Sequence, residues 1–399
     1  MANTNLTISM ITKEALRILK NELGFAKNVN RQYDSQFAKG GAKIGSSLNI
    51  RKPVRFTVSD GATLSNQDAT ETSEVLTLDS QKHVAFQFTS KEMALDIDMF
   101  SDRYLKPAIA SLANKIDYDG LSLYSSVYQS TGTAGTTPAD FPVLTDAATK
   151  LSNSAAPMGD RTLIVNPAAS GAMANGLKGL FQSSEQIKQQ YESGLMGLAG
   201  GFKIAQDQNV RQHTVGAYAG TPLVNGANQT GSSLTTDGWT SGASALAAGD
   251  VFTIADVYAV NPQNRQSTGQ LQDFVVTAAI SDTSGAKVIS ISPSITVSGA
   301  FQTVNASPAN DAAITVKGTA SGIYPQNLAF HKDAFVLGMA DLELPKGVDM
   351  AARASDPDAG LSLRIVRDYN ISTDYFPCRI DVLYGWKCVY PELANRVWG

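Results

Sequence analysis

Three histidines, His83, His213 and His331, and two cysteines, Cys378 and Cys388, are the side chains with which this 399-residue chain could do nucleophilic, metal or redox chemistry. No His-x-x-x-His or Cys-x-x-Cys pairing joins them, so metal ligation has no signature here. A nucleophile elbow needs Gly-x-Ser-x-Gly, and that spacing does not accompany the histidines. The glycine-rich run GLMGLAGG at 194–201 invites a phosphate-loop reading, but no Lys-Ser/Thr follows it, and a strand starting at Phe202 is expected where a helix would be needed. It reads as a mobile or tightly turning loop. Asp356 and Asp358 open like a calcium loop, yet Gly360 stands at the next ligand position and Arg367 where a bidentate Glu belongs, so residues 356–360 read as a turn. Asp96, Asp98 and Asp102 read as favouring the positive end of a helix rather than as ligands. The two thiols read as free and buried, in a reducing compartment. A bond between them needs a turn near Tyr384 and Gly385 that nothing in the sequence fixes. Catalytic residues, metals and cofactors are therefore all expected to be absent.

Composition supports a structural or binding role. At 399 residues two or three compact units are the prior. Hydrophobic residues reach 43%, enough for sizeable cores, whereas charged residues are only 17%, below the ~25% of ordinary soluble domains. Low charge fits a surface covered by copies of the chain itself, since interface cores are depleted of charge; it fits plain compositional bias as well. A net charge of −4 argues against a dedicated nucleic-acid binder, which carries a basic stripe. Lys13, Glu14, Arg17 and Lys20 interrupt the first twenty residues where a signal peptide needs an apolar core. No window approaches the ~18 apolar residues of a membrane span. The sequence thus predicts a protein made and kept in a cytoplasm, without a membrane partner.

The elements follow from periodicity. Thr12 caps a predicted helix to Leu23, with Ile11 and Leu16 as a hydrophobic staple and Gly24 as its end. Leu16, Leu19 and Leu23 share one face of this helix, which is too short to stand alone and must dock on its own chain or on a neighbour. From Leu48 the period becomes two: Leu48, Ile50, Val54, Phe56 and Val58 fall on one face, with Arg51 and Arg55 on the other. A second run carries Leu76 and Leu78, then Val84, Phe86 and Phe88, so residues 46–90 read as one long β-hairpin that needs a surface to lie on. Helical spacing returns from 98 to 129, which predicts a helix of about 45 Å; Pro107 kinks it or marks its start. Residues 143–213 alternate small helices and strands, as in Thr162 to Val165 followed by Asn166, Pro167 and an alanine-rich helix.

Between 214 and 327 the composition shifts. Strands are predicted at 250–254, 274–278, 287–291 and 314–317, the serine- and threonine-rich stretch 229–247 reads as a loop, and three basic residues face six acidic ones, a net −3. Short strands with frequent turn signals predict a small barrel or sandwich inserted as a unit. Two further β-runs close the chain, one at 361–366 and one at 380–384, with a turn at 368–370 between them and Pro391 as a stop.

The closing segments DPDAGLSLRIVRDYN and CRIDVLYGWKCVYPELA, with GDVFTIADVYAVNPQN in the insert, resemble the coat proteins of P22-like tailed bacteriophages. The order of short helix, long hairpin and long helix is similar to the N-arm, E-loop and spine helix of HK97-type capsid proteins. The resemblance implies an α+β, HK97-type capsid fold with an inserted all-β barrel domain. Its expected parts are an N-terminal arm at 1–45, an E-loop hairpin at 46–92 and, at 93–213, a peripheral domain with the spine helix and the start of the axial domain. The barrel would occupy 214–327, and 328–399 would return to the axial and peripheral domains.

By the same resemblance the function expected is that of a major capsid protein, assembling into pentamers and hexamers of an icosahedral shell around double-stranded DNA contacted non-specifically. Implied partners are other copies of the chain, a scaffolding protein, a portal protein and a decoration protein, with assembly in the host cytoplasm. Some HK97-type shells crosslink Lys to Asn in the E-loop, P22-like members do not, and no spacing connects Lys52, Lys82 and Asn66 here. Candidate subunit contacts are Leu16, Leu19 and Leu23 on the arm, Phe56, Phe86 and Phe88 on one hairpin face, and Arg51, Lys52 and Arg55 on the other; a packed hairpin with solvated basic residues explains the latter six equally well. A bacterial surface adhesin and an intracellular enzyme with an inserted β-domain are the rival readings. Missing secretion signals count against the first, and missing machinery against the second.

Overall fold

The computed structural model describes residues 8–31, 47–58, 61–62, 66–89, 104–177, 197–240, 246–280, 285–356 and 360–399. In chain order they form α1 (Ile8–Glu22), β1 (Ser47–Arg51), β2 (Ser73–Thr77), β3 (Ser80–Thr89), α2 (Lys106–Leu121), β4 (Ser130–Thr131), α3 (Phe141–Asn153), β5 (Arg161–Val165), α4 (Pro167–Gly176), β6 (Leu198–Ala199) and β7 (Phe202–Gln206). Next come β8 (Gln212–Thr214), β9 (Gly220–Val224), β10 (Gly231–Trp239), β11 (Val251–Val260), β12 (Ser267–Val276), β13 (Lys287–Ile295), β14 (Ile314–Val316) and β15 (Ile323–Pro325). The chain finishes with β16 (Asn327–His331), β17 (Phe335–Ala340), β18 (Met350–Asp356), β19 (Leu361–Arg367), β20 (Tyr375–Cys388) and β21 (Ala394–Val397). This mixed α+β chain divides into two compact units, one of Met1–Ile50, Ser73–Gly120 and Phe335–Val389, the other of Arg51–Thr72, Leu121–Ala334 and Tyr390–Gly399.

The first unit is organised by β20. Its sheet runs β17-β20-β19-β18, and β3 joins β20 antiparallel from Tyr375↔Thr89 to Tyr384↔Ser80. The alternation read in the C-terminal sequence has a direct cause: Leu361, Leu363, Ile365, Ile380, Val382 and Tyr384 all turn into the core. Asp381 lies buried opposite Arg364, which donates to it at 2.7 Å, while Arg379 reaches it at 2.5 Å. Helix α1 packs on β18 and β19 through Ala15, Leu16, Ile18 and Leu19, and Glu14 and Arg17 pair on its outer face at 2.6 Å. Buried Asp117 of α2 accepts from the amides of Gly24 at 2.6 Å and Ala26 at 2.9 Å, which fixes the turn leaving α1. Phe25 then packs on Phe335 and Trp386, with ring centroids 5.5 and 5.2 Å away.

Gly120 of α2 lies under the same rings. A Cβ there would meet Trp386 at 2.6 Å and Phe25 at 2.8 Å, and neither ring can move away cheaply. Gly120→Ala gains at most ~1 kcal/mol of helix propensity, less near a helix end, against an overpacking cost of ~1–3 kcal/mol. Urea unfolding is expected to show a net loss of about 1 kcal/mol; an unchanged or raised midpoint would contradict this packing.

Several sequence expectations are corrected. Helix α1 begins at Ile8, so Thr12 is a buried interior residue rather than a cap, because docking on the sheet extends the helix past the local signal. Strand β1 stops at Arg51 and pairs with β2, whereas β3 pairs with β20, so no single long hairpin spans 46–90. Pro53 explains the break, since it has no N–H to continue the ladder. Helix α2 has 16 residues, about 24 Å, starts beside Pro107 and gives way to a 3-10 turn at Ser122–Ser126. Residues 98–103, with Asp98 and Asp102, lie outside the described residues, as does Asp96. Cys378 and Cys388 are free, buried and on one continuous strand, which removes the turn that a disulfide needs.

The second unit holds two sheets. One runs β4-β21-β16-β5-β7-β6, and α3 and α4 pack on it through Leu144, Leu151, Ala169 and Met173 against Leu163, Phe202 and Ile204. Asn166, just ahead of Pro167, caps α4 by accepting from the Ala169 amide at 2.9 Å. The other sheet runs β14-β11-β12-β13-β10-β9, and a bridge from Leu223 to Ala313 brings its two edges together. Phe252 and Phe274 stack at 5.7 Å in its core beside Leu234, Trp239 and Ile289. Strands β9 and β10 were missed; β10 overturns the loop reading of 229–247, because its Leu234, Thr236 and Trp239 are buried among serines and threonines that mask the alternation. Antiparallel β8 and β15 carry the chain in and out side by side.

Candidate assembly surface

Beyond β1 the chain becomes a strap, residues 52–58, outside any strand. The Lys52 amide still donates to Thr72 at 2.8 Å, and the Thr57 amide donates to Gln67 Oε1 at 2.7 Å, while the Gln67 side-chain amide donates back to the Thr57 carbonyl. Side chains then fix the strap to the rest of its unit. Arg55 Nη2 meets Glu392 Oε1 at 2.9 Å and its guanidinium sits 5.8 Å from the Phe301 ring centroid. Lys52 Nζ lies 5.5 Å from the Tyr390 ring, and Arg265 Nη2 donates to the Phe56 carbonyl at 2.9 Å.

Each of these surface contacts is worth ~1 kcal/mol or less. Two large apolar side chains nevertheless remain in water: Phe56 is 59% exposed and Val58 94%. Burying such a side chain contributes about 1.5–3 kcal/mol, so the strap holds its backbone in place while leaving that gain unrealised. Phe56 also lines a cleft of about 450 Å³ with Pro157, Pro262, Tyr390 and Leu393.

The other sequence candidates are placed differently. Arg51 is exposed and only loosely paired with Glu71, at 3.8 Å. Leu16, Leu19 and Leu23 are buried within their own chain. Phe86 is half-buried and Phe88 buried in β3, where Phe88 meets Tyr104 edge-on at 4.8 Å and Phe86 at 5.4 Å. Phe56 belongs to the second unit and these two to the first, so they do not share a hairpin face. Sequence reasoning missed Arg265, Phe301 and Glu392, since nothing in their local spacing marks them as partners of the strap. Arg265 has one structural peculiarity, a left-handed backbone with φ +56°, which at a non-glycine residue costs on the order of 1–3 kcal/mol.

A buried polar clasp joins the six-stranded β9–β14 sheet to the rest of its unit. Asp273 of β12 accepts from the Ser130 amide at 3.0 Å and from Lys150 of α3, and it forms an ion pair with Lys317 Nζ at 2.7 Å. Burial alone would push its carboxyl up, but the two lysines overcome that and hold it below the ordinary carboxylate value. Nearby, Arg396 of β21 donates to the Gly249 carbonyl at 2.7 Å and lies 5.2 Å from the Tyr124 ring.

His213 sits between Tyr124, at 3.1 Å, and Asp250, at 2.8 Å, an order that superficially suggests a proton relay. It is buried, and Asp250 is already bound by the amides of Gly216 at 3.1 Å and Ala247 at 2.7 Å, so the trio fastens a turn. His83 lies exposed on β3 and His331 buried at the end of β16. Among the described residues no group of three or more His, Cys, Asp or Glu side chains could hold a metal, and no helix is long and apolar enough to cross a membrane. The glycine-rich run lies partly outside the described residues; its Gly197, Gly200 and Gly201 take positive φ ahead of β7, as a turn requires. The site offers apolar and charged contact surface.

Comparison with known proteins bears on this surface. The family model described as "P22 coat protein - gene protein 5" matches residues 1–396. No curated protein matches the chain. Among solved structures, a chain of Mycobacterium phage Che8 is similar at TM-score 0.48 and 14% identity, over 94% of this chain and 90% of that chain. A chain from the bacteriophage PhiM1 mature capsid is similar at TM-score 0.43 and 10% identity, over 89% and 82%. The CUS-3 coat protein I-domain matches 24% of this chain at 28% identity, over 94% of its own length, with a TM-score of 0.19. All three TM-scores are below 0.5, and it is the sequence match over residues 1–396 that carries weight.

Proposed function

The chain belongs to the P22 coat protein family of bacteriophage capsid proteins, and from that premise we propose that it is the major capsid protein of a tailed phage, closing into an icosahedral shell of pentamers and hexamers around double-stranded DNA. The observation that carries this reading is the family match over almost the whole length. The function is geometric: many modest contacts, closed into an array, give avidity while each stays weak enough to correct. We assign residues 1–45 to the arm, 46–92 to the E-loop, 93–213 to the peripheral domain with its spine helix and the start of the axial domain, and 328–399 to the return. The six-stranded sheet with joined edges supports reading 214–327 as the inserted barrel. Scaffolding, portal and decoration proteins are the further partners, DNA is enclosed without sequence readout, and assembly takes place in the host cytoplasm.

Of the apolar candidate contacts, Phe56 is the exposed one, placed to meet a second copy. Leu16, Leu19 and Leu23 act from within, by holding α1, and Phe86 and Phe88 act by packing β3. Size-exclusion chromatography with negative-stain microscopy tests the proposal: capsomers or closed particles are expected when the chain is expressed with a scaffolding protein. A strictly monomeric protein under every such condition would refute it, and would reopen the adhesin and enzyme readings.

A further inference from the structure

We propose that the insert positions the strap for assembly: Arg265 and Phe301, both from the 214–327 segment, hold residues 52–58 so that Phe56 and Val58 are presented, already ordered, to a second copy of the chain. The inference rests on the coat reading above and adds to it a role for the insert and two positioning residues. Three observations converge on it. The strap's backbone is fixed while Phe56 and Val58 stay in water, the arrangement of a surface awaiting a partner. Two of its anchors come from the insert, the Arg265 donation to the Phe56 carbonyl at 2.9 Å and the Phe301 ring under Arg55 at 5.8 Å. Arg265 also holds a strained left-handed backbone within a turn closed by Arg265 N to Asn261 O at 2.8 Å and Asn261 N to Gln266 O at 3.0 Å, and it donates to the Gly299 carbonyl at 3.2 Å.

That strain has a local purpose. A glycine would suit the turn better, so the side chain is what the position retains, and the side chain reaches the strap. The occupant of the presented surface is a second copy, because on the coat reading the chain's partner in a closed array is its own copy, and the strap falls within the residues 46–92 assigned above to the E-loop. An ordered contact lowers the entropy that association must overcome, so positioning speeds assembly without adding a contact.

Arg265→Gly separates this idea from simple misfolding, since it removes the side chain while relieving the backbone. Thermal unfolding of this variant is expected at or above the wild-type temperature, hydrogen exchange at the Lys52 and Thr57 amides about tenfold faster, and scaffold-driven particle formation, followed by light scattering, severalfold slower. Phe301→Ala is expected to act in the same direction. Phe56→Ser is expected to slow assembly while leaving strap exchange unchanged, which marks it as the presented group. The proposal is overturned if Arg265→Gly leaves strap exchange at the wild-type rate, or loosens the strap and still assembles like wild type. If wild type itself never assembles, the coat reading falls and this inference with it; if wild type assembles and both insert variants match it, only the inference falls.

Discussion

Replacing Asp273 with Ala is expected to destabilise the unit that carries the six-stranded β9–β14 sheet by about 3 kcal/mol, because it leaves two half-buried lysines without their counter-charge. Lys150 and Lys317 converge on this one carboxylate from α3 and from just beyond β14, and the Ser130 amide donates to it as well. An isolated surface pair would contribute less than ~1 kcal/mol; full burial of Asp273 is what raises the stake. Chemical denaturation followed at Trp239, which lies in the core of that sheet, would read the loss. A change below ~1 kcal/mol would mean the clasp is a surface-like contact. The pH dependence has a definite sign. Since the folded carboxyl titrates below its ordinary value of 3.8, its contribution is complete above that value and is lost as pH falls through the lower folded value. Wild type should therefore lose stability below about pH 4 along a limb that Asp273→Asn lacks.

Leu19→Ala is expected to cost about 2–5 kcal/mol, the range for emptying a fully buried leucine site. Leu19 is 1% exposed on the face of α1 that packs against β18 and β19. Too short to be stable alone, α1 depends on that face for its existence. The loss should appear both in urea unfolding and as faster exchange through α1. If Leu19→Ala instead left monomer stability intact and abolished only assembly, α1 would be a contact for a neighbour, contrary to its packing here.

Some of this was legible in the sequence for clear reasons. The alternation in β19 and β20 shows because one face of each strand carries the apolar residues and the other the polar ones, Arg364 and Asp381 among them, and the stripe Leu16, Leu19 and Leu23 shows because α1 lies on a sheet. The alanine-rich helix after Asn166 and Pro167 was legible as α4, and the cap that starts it is wholly local. The rest depended on long-range partners. Asp117 acts on residues 93 and 91 positions away, and Lys150 reaches Asp273 across 123, so no local pattern distinguishes these charges from surface ones. The strand β10 hid because serine and threonine serve as readily on a strand as in a loop. Phe56, Phe86 and Phe88 share a parity in the sequence, but Pro53 ends the first ladder and β20 captures β3, so common parity did not give a common face.

The central claim is that this chain builds a closed shell from copies of itself. A cryo-EM reconstruction of material co-expressed with a scaffolding protein tests it most directly. The expected result is a closed icosahedral particle in which density for a neighbouring copy covers Phe56 and Val58 while α1 stays on β18 and β19 of its own chain. Open aggregates, or a particle in which Phe56 and Val58 remain bare and α1 is exchanged onto a neighbour, would contradict the account.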